Sequence, residues 1–164
     1  MKFNVFKLNI SYDGTRFSGW QKQPNAITIQ GELEEALQKT SHKEFHSLAA
    51  SRTDAGVHAL DQLVRIQTTK NISPEDLKRS LNAVLPPEIA IKHCAVADHD
   101  FHPIRSARSK LYVYQIINND TKNPFLDAYQ WRVFPLLNLD AMQVACPYFI
   151  GEHDYRALCA SDST

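Results

Sequence analysis

With 164 residues, 43% of them hydrophobic and 22% charged, the chain holds enough apolar material for one packed domain or one plus part of a second. Eighteen basic residues against eighteen acidic ones exclude a protein that grips nucleic acid with its whole surface, and leave room only for a local basic groove. No basic and apolar leader occupies the first ten residues and no apolar run reaches spanning length, so a cytoplasmic protein with no membrane partner is expected.

Phe6, Leu8, Ile10 and Tyr12 alternate with Lys7, Asn9 and Ser11, the period of a half-buried strand, and Asp13-Gly14 turns the chain. The loop that follows carries Arg16, Trp20, Gln21 and Lys22 without periodicity, and Trp20 is expected as a core anchor rather than a stacking platform. Thr28 caps a helix with Ile29, Leu33, Ala36 and Leu37 on one face. Residues 45–50 and 63–68 read as two strands. Ser73-Pro74-Glu75-Asp76 starts a second helix with a stripe of Leu77, Leu81, Val84 and Leu85, ended by Pro86-Pro87. A strand over 89–96 completes a β-α-β-β-α-β order. The fold class expected is therefore α+β: a ferredoxin-like antiparallel sheet with both helices on one face and the other face free. Beyond it, residues 109–118 read as a strand with Tyr112, Tyr114 and Ile116 on one face. Residues 129–134 read as another, and Asn138 caps a helix that Pro147 ends. Residues 1–104 are taken as the first subdomain and 105–164 as the start of a second.

Between the strands at 45–50 and 63–68 lies Ser51-Arg52-Thr53-Asp54-Ala55-Gly56-Val57-His58-Ala59. A carboxylate, a guanidinium and a residue free to take φ > 0 share one turn, an arrangement suited to presenting an ionised carboxylate for nucleophilic or general-base work. An Arg-x-Asp-x-Gly spacing taken alone also describes an ordinary surface turn with a weak ion pair. His58 is expected as a hydrogen-bonding scaffold. Asp98-His99-Asp100-Phe101-His102 with Cys94 lacks the spacing that orients metal ligands, so no metal is expected. Cys94, Cys146 and Cys159, odd in number and far apart, suggest neither a disulfide framework nor a redox pair.

The whole run from Arg52 to Ala59 resembles the active-site signature of the tRNA pseudouridine synthase A family. The resemblance extends to Ser11-Tyr12-Asp13-Gly14-Thr15 with Gly19-Trp20-Gln21 and Gln30, to Phe101-His102, to Lys110-Leu111-Tyr112-Val113-Tyr114 and to Gly151-Glu152-His153-Asp154-Tyr155, in the family's order. It implies an isomerase that converts uridine to pseudouridine in the anticodon stem-loop of tRNA, with no cofactor, working as a homodimer. It also implies Asp54 as the catalytic residue and Tyr112 as the aromatic residue packed on the flipped uracil. Arg52 is expected to support the carboxylate, and Arg108 and Lys110 to meet phosphates. In the family a later segment supplies a second basic residue for the Asp. This sequence lacks it and matches about the first two thirds of the family's usual length, so these residues are expected to be inactive alone. Arg105 stands one position later than the family's Arg after His102. The rivals are a non-catalytic RNA-binding module built on the same sheet, and a glycoside hydrolase pairing Asp54 with Asp13 or Asp61, for which nothing brings the carboxylates together.

Overall fold

The computed structural model describes residues 3–40 and 44–158. It divides into two compact units, Met1–Leu111 and Tyr112–Thr164. Cys159 lies outside the described residues.

In the first unit the chain runs β1 (Asn4–Tyr12), α1 (Ile29–Lys39), β2 (Phe45–Ala49), β3 (Ala59–Thr68), α2 (Pro74–Asn82) and β4 (Ile89–Val96). The strands form one antiparallel sheet in the order β2-β3-β1-β4. Register follows the alternation of the sequence: Phe6, Leu8 and Ile10 of β1 stand opposite Ile66, Val64 and Gln62 of β3, which puts the apolar sets of both strands on one face. Ile29, Leu33, Ala36 and Leu37 of α1 and Leu77 and Leu81 of α2 pack against that face, and together they make one buried core with Trp20 and Ile91. Trp20 is thus a core anchor. Both helices begin as their caps predict. Thr28 Oγ1 accepts from Gly31 N at 3.2 Å and Ser73 Oγ from Asp76 N at 3.1 Å.

Two expectations change in this unit. Helix α2 ends at Asn82, ahead of the prolines, and Val84 is exposed; the Asn82 side chain bonds both backbone groups of Ile91 in β4. The far face of the sheet is also not left wholly free. Residues 97–110 start after β4 at one edge and arrive beside Ser51, which follows β2 at the other edge. On the way Arg65 donates to the His99 carbonyl at 2.8 Å and Pro103 is buried. Lys7 and His93, on the same face as Arg65, stay exposed, so the segment covers only part of that face.

In the second unit, β5 (Ile116–Asn118) and β6 (Trp131–Val133) pair in parallel, followed by α3 (Leu139–Ala145) and short 3-10 turns at Cys146–Phe149 and Arg156–Leu158. The strands expected over 109–118 and 129–134 shrink to these three-residue pieces. Leu111, Tyr112, Val113 and Tyr114 have β-forming side chains but no ladder partner among the described residues, and alternation without a partner strand does not make a sheet. Asn138 caps α3 by accepting from Ala141 N at 2.9 Å.

Candidate active site

The signature segment 51–58 joins β2 to β3 at the end of the sheet where β1 finishes. Val57 N donates to Asp54 O at 3.2 Å, and Gly56, at the third position, has φ +78°, the backbone that a type II turn requires there. The turn offers the Asp54 side chain to solvent.

What fixes this turn is the loop between β1 and α1. Trp20 N donates to Thr53 O at 2.9 Å, and Gly56 N donates to Phe17 O at 3.2 Å. The Tyr12 hydroxyl lies 2.8 Å from Thr53 Oγ1, and Gln62 Nε2 donates to Ser51 O at 2.6 Å. At the far end His58 Nδ1 accepts from Gly14 N at 3.1 Å and stands 3.1 Å from Asp13 Oδ1, which fits its expected scaffold role. The approach of the two loops is close enough to demand glycine. A Cβ on Gly14 falls 2.0 Å from Val57 O, and one on Gly19, where φ is +84°, falls 2.6 Å from Thr53 O. The sequence places both glycines in the N-terminal block but says nothing of what they touch. Tyr12, Thr53 and Gln62 were not among the predicted site residues. The signal that finds them is the end of the core-facing alternation: Tyr12 and Gln62 continue the buried rows of β1 and β3 with polar atoms that must find partners.

The predicted site residues fall in different surroundings. Arg52 is exposed, and among the described residues no ion pair joins it to Asp54, contrary to the expected adjoining pair. Lys110 reaches the signature, its Nζ 3.4 Å from Ser51 Oγ. Arg108 is exposed in the same unit, as is Arg105, whose N–H points to His102 Nδ1 at 3.4 Å. Among the described residues none of Arg52, Arg105, Arg108 and Lys110 is in an ion pair, whereas Arg16 is held by Glu88 and Lys22 by Glu34. Tyr112 opens the second unit and is 65% exposed. Burial raises the Tyr12 phenol above its ordinary value against the opposing hydrogen bonds from Thr53 and Gln62, which keeps it a neutral hydroxyl. Among the described residues no group of three or more His, Cys, Asp or Glu side chains is arranged to hold a metal. No helix among them is long and apolar enough to cross a membrane.

The family model described as tRNA pseudouridine synthase matches residues 9–106, a span that contains both clasped loops. This chain belongs to that family. Its curated relatives include proteins named tRNA pseudouridine synthase A from three bacteria. The Caldicellulosiruptor bescii protein is 45% identical over 156 residues, covering 95% of this chain and 64% of the relative. The Dictyoglomus thermophilum protein is 41% identical over 160 residues, covering 96% and 65%. The Geotalea daltonii protein is 40% identical over 156 residues, covering 95% and 64%. The chain therefore spans a little under two thirds of the length of these pseudouridine synthases.

Proposed function

We propose that this chain carries the catalytic carboxylate of a tRNA pseudouridine synthase, acting on uridine in the anticodon stem-loop, in the cytoplasm and as a homodimer. The reaction breaks the bond from ribose C1′ to uracil N1, turns the base and joins C1′ to C5, which loses its proton while N1 gains one. Atoms balance without any cofactor. Asp54 acts as nucleophile at C1′, or as the base that draws a sugar proton to give a glycal; both routes remain open to the same side chain. A stacked uracil has no room to turn, so the nucleotide is flipped out and Tyr112 stacks on it. Arg52, Arg108 and Lys110 take the phosphates. The β-α-β-β-α-β order with strands arranged β2-β3-β1-β4 favours the ferredoxin-like description of the first unit.

The observation that carries the proposal is a solvent-facing aspartate on a turn tied down by four separate hydrogen bonds from β1 and its loop. A non-catalytic RNA-binding module is less well supported, since part of the sheet face it needs is covered where Arg65 bonds the His99 carbonyl and Pro103 is buried. The test uses tRNA tritiated at uracil C5 and two samples: the 164 residues alone, and the same residues fused to the remaining third of the Caldicellulosiruptor bescii relative. The expected result is no tritium release by the first, and release by the second that Asp54→Asn abolishes. Turnover by the chain alone refutes its inactivity, and turnover by the Asp54→Asn fusion refutes the catalytic assignment.

A further inference from the structure

The Asp54 turn is exposed, yet one of the groups that hold it is the hydroxyl of a buried side chain. Tyr12 is the last residue of β1 and is 4% exposed; its ring lies 6.1 Å from that of Trp20. Its hydroxyl meets Thr53 Oγ1 at 2.8 Å. Gln62, itself 7% exposed, holds the Ser51 carbonyl, and the Thr53 carbonyl receives the Trp20 N–H. The residue before Asp54 is therefore fixed through both its side chain and its backbone, by groups standing on the rigid end of the sheet. A buried hydroxyl that loses its partner pays a desolvation penalty, so the geometry is maintained by more than packing.

We propose that Tyr12 is a positioning residue for Asp54, acting through Thr53, with Gln62 holding the network to the start of the turn. This rests on the reading of Asp54 as the catalytic group. Tyr12→Phe keeps the ring against Trp20 and removes only the hydroxyl. In the fusion protein it lowers the single-turnover rate of pseudouridine formation about tenfold, the cost of one buried hydrogen bond, while the tRNA dissociation constant stays within about twofold. Thr53→Val gives the same loss, the double variant loses no more than either, and Thr53→Ser, which keeps the hydroxyl, retains the parent rate. In the 164-residue chain, amide exchange at Trp20 and Gly56 quickens in Tyr12→Phe while the β1–β3 ladder keeps its protection; this measurement does not depend on turnover.

An unchanged rate in Tyr12→Phe, losses that multiply in the double variant, or exchange that quickens equally across the β1–β3 ladder overturns the proposal, the last by showing a merely structural role. If Asp54→Asn abolishes turnover while Tyr12→Phe leaves it intact, only the positioning role fails. If Asp54→Asn retains turnover, the reading of Asp54 fails, and the positioning role with it.

Discussion

The two units are made differently. The first, ending at Leu111, buries residues from every strand and both helices in a single core. In the second, none of the described residues is buried: Phe125, Trp131, Tyr148 and Ile150 all stand in solvent. Its order comes from short-range polar contacts. Asn118 donates to Val133 O at 2.8 Å and accepts from Leu137 N at 2.7 Å, and Arg132 pairs with Asp127 at 3.3 Å. A cap, a turn and a three-residue ladder are enough to write elements, but a fold that resists opening requires apolar area removed from water.

The largest test of that contrast is truncation of matched isoleucines. Ile66 is fully buried in the first unit, and Ile150 is 73% exposed in the second. Ile66→Ala is expected to cost about 2–5 kcal/mol in urea unfolding, and Ile150→Ala about 0.5 kcal/mol or less. Equal losses would mean that the second unit has a core after all.

Next in size are two glycines with positive φ, one in each unit. Gly19→Ala combines left-handed strain with a Cβ 2.6 Å from Thr53 O, a backbone atom that has to move, so a loss of about 1–3 kcal/mol and faster exchange at the Gly56 amide are expected. Gly151 (φ +114°) has only a side-chain nitrogen of His153 at 3.5 Å from its virtual Cβ. Gly151→Ala carries backbone strain alone and leaves the first unit's unfolding midpoint where it was. A smaller effect comes from the helix caps. Thr28→Ala removes a cap bond beside the core and is expected to lower first-unit stability by about 1 kcal/mol, whereas Asn138→Ala frays only α3, as circular dichroism near 222 nm resolves.

What the sequence made legible follows the same division. The start of helix α1 and its buried face were readable, because Thr28 and the Ile29, Leu33, Ala36, Leu37 spacing act within one element. Strand β4 was likewise fixed by its own residues and the turn before it. Sequence alternation misled at residues 109–114, since a strand depends on a neighbour that local pattern does not name. At the site, Asp54 was legible as a residue offered on a turn. The clasp was not, because Tyr12 and Thr53 stand 41 positions apart and meet only when β1 and β3 register. The Arg52–Asp54 pair shows the opposite: two residues apart in sequence, they form no ion pair among the described residues.

The smallest effect concerns reactivity rather than stability, and compares Cys94 of the first unit with Cys146 of the second in a Cys159→Ser background. Burial, aided by the charge of Glu75 and opposed by Lys78, pushes the Cys94 thiol up from 9.0 to about 12. At pH 8 its nucleophilic thiolate is then about one part in ten thousand, whereas Cys146 is exposed. A chromogenic disulfide reagent should therefore titrate one thiol quickly, lost in Cys146→Ser, and the second only slowly or after urea is added. The sign of the pH dependence follows from the raised value. The unfolded thiol releases its proton first, so the stability linked to Cys94 is intact below about pH 9 and declines as pH climbs toward 12, a decline that Cys94→Ala removes. If Cys94 reacts as fast as Cys146 at pH 8 without denaturant, the edge of the first unit at β4 opens as readily as the second unit, and the division between a buried and an unburied region loses its meaning there.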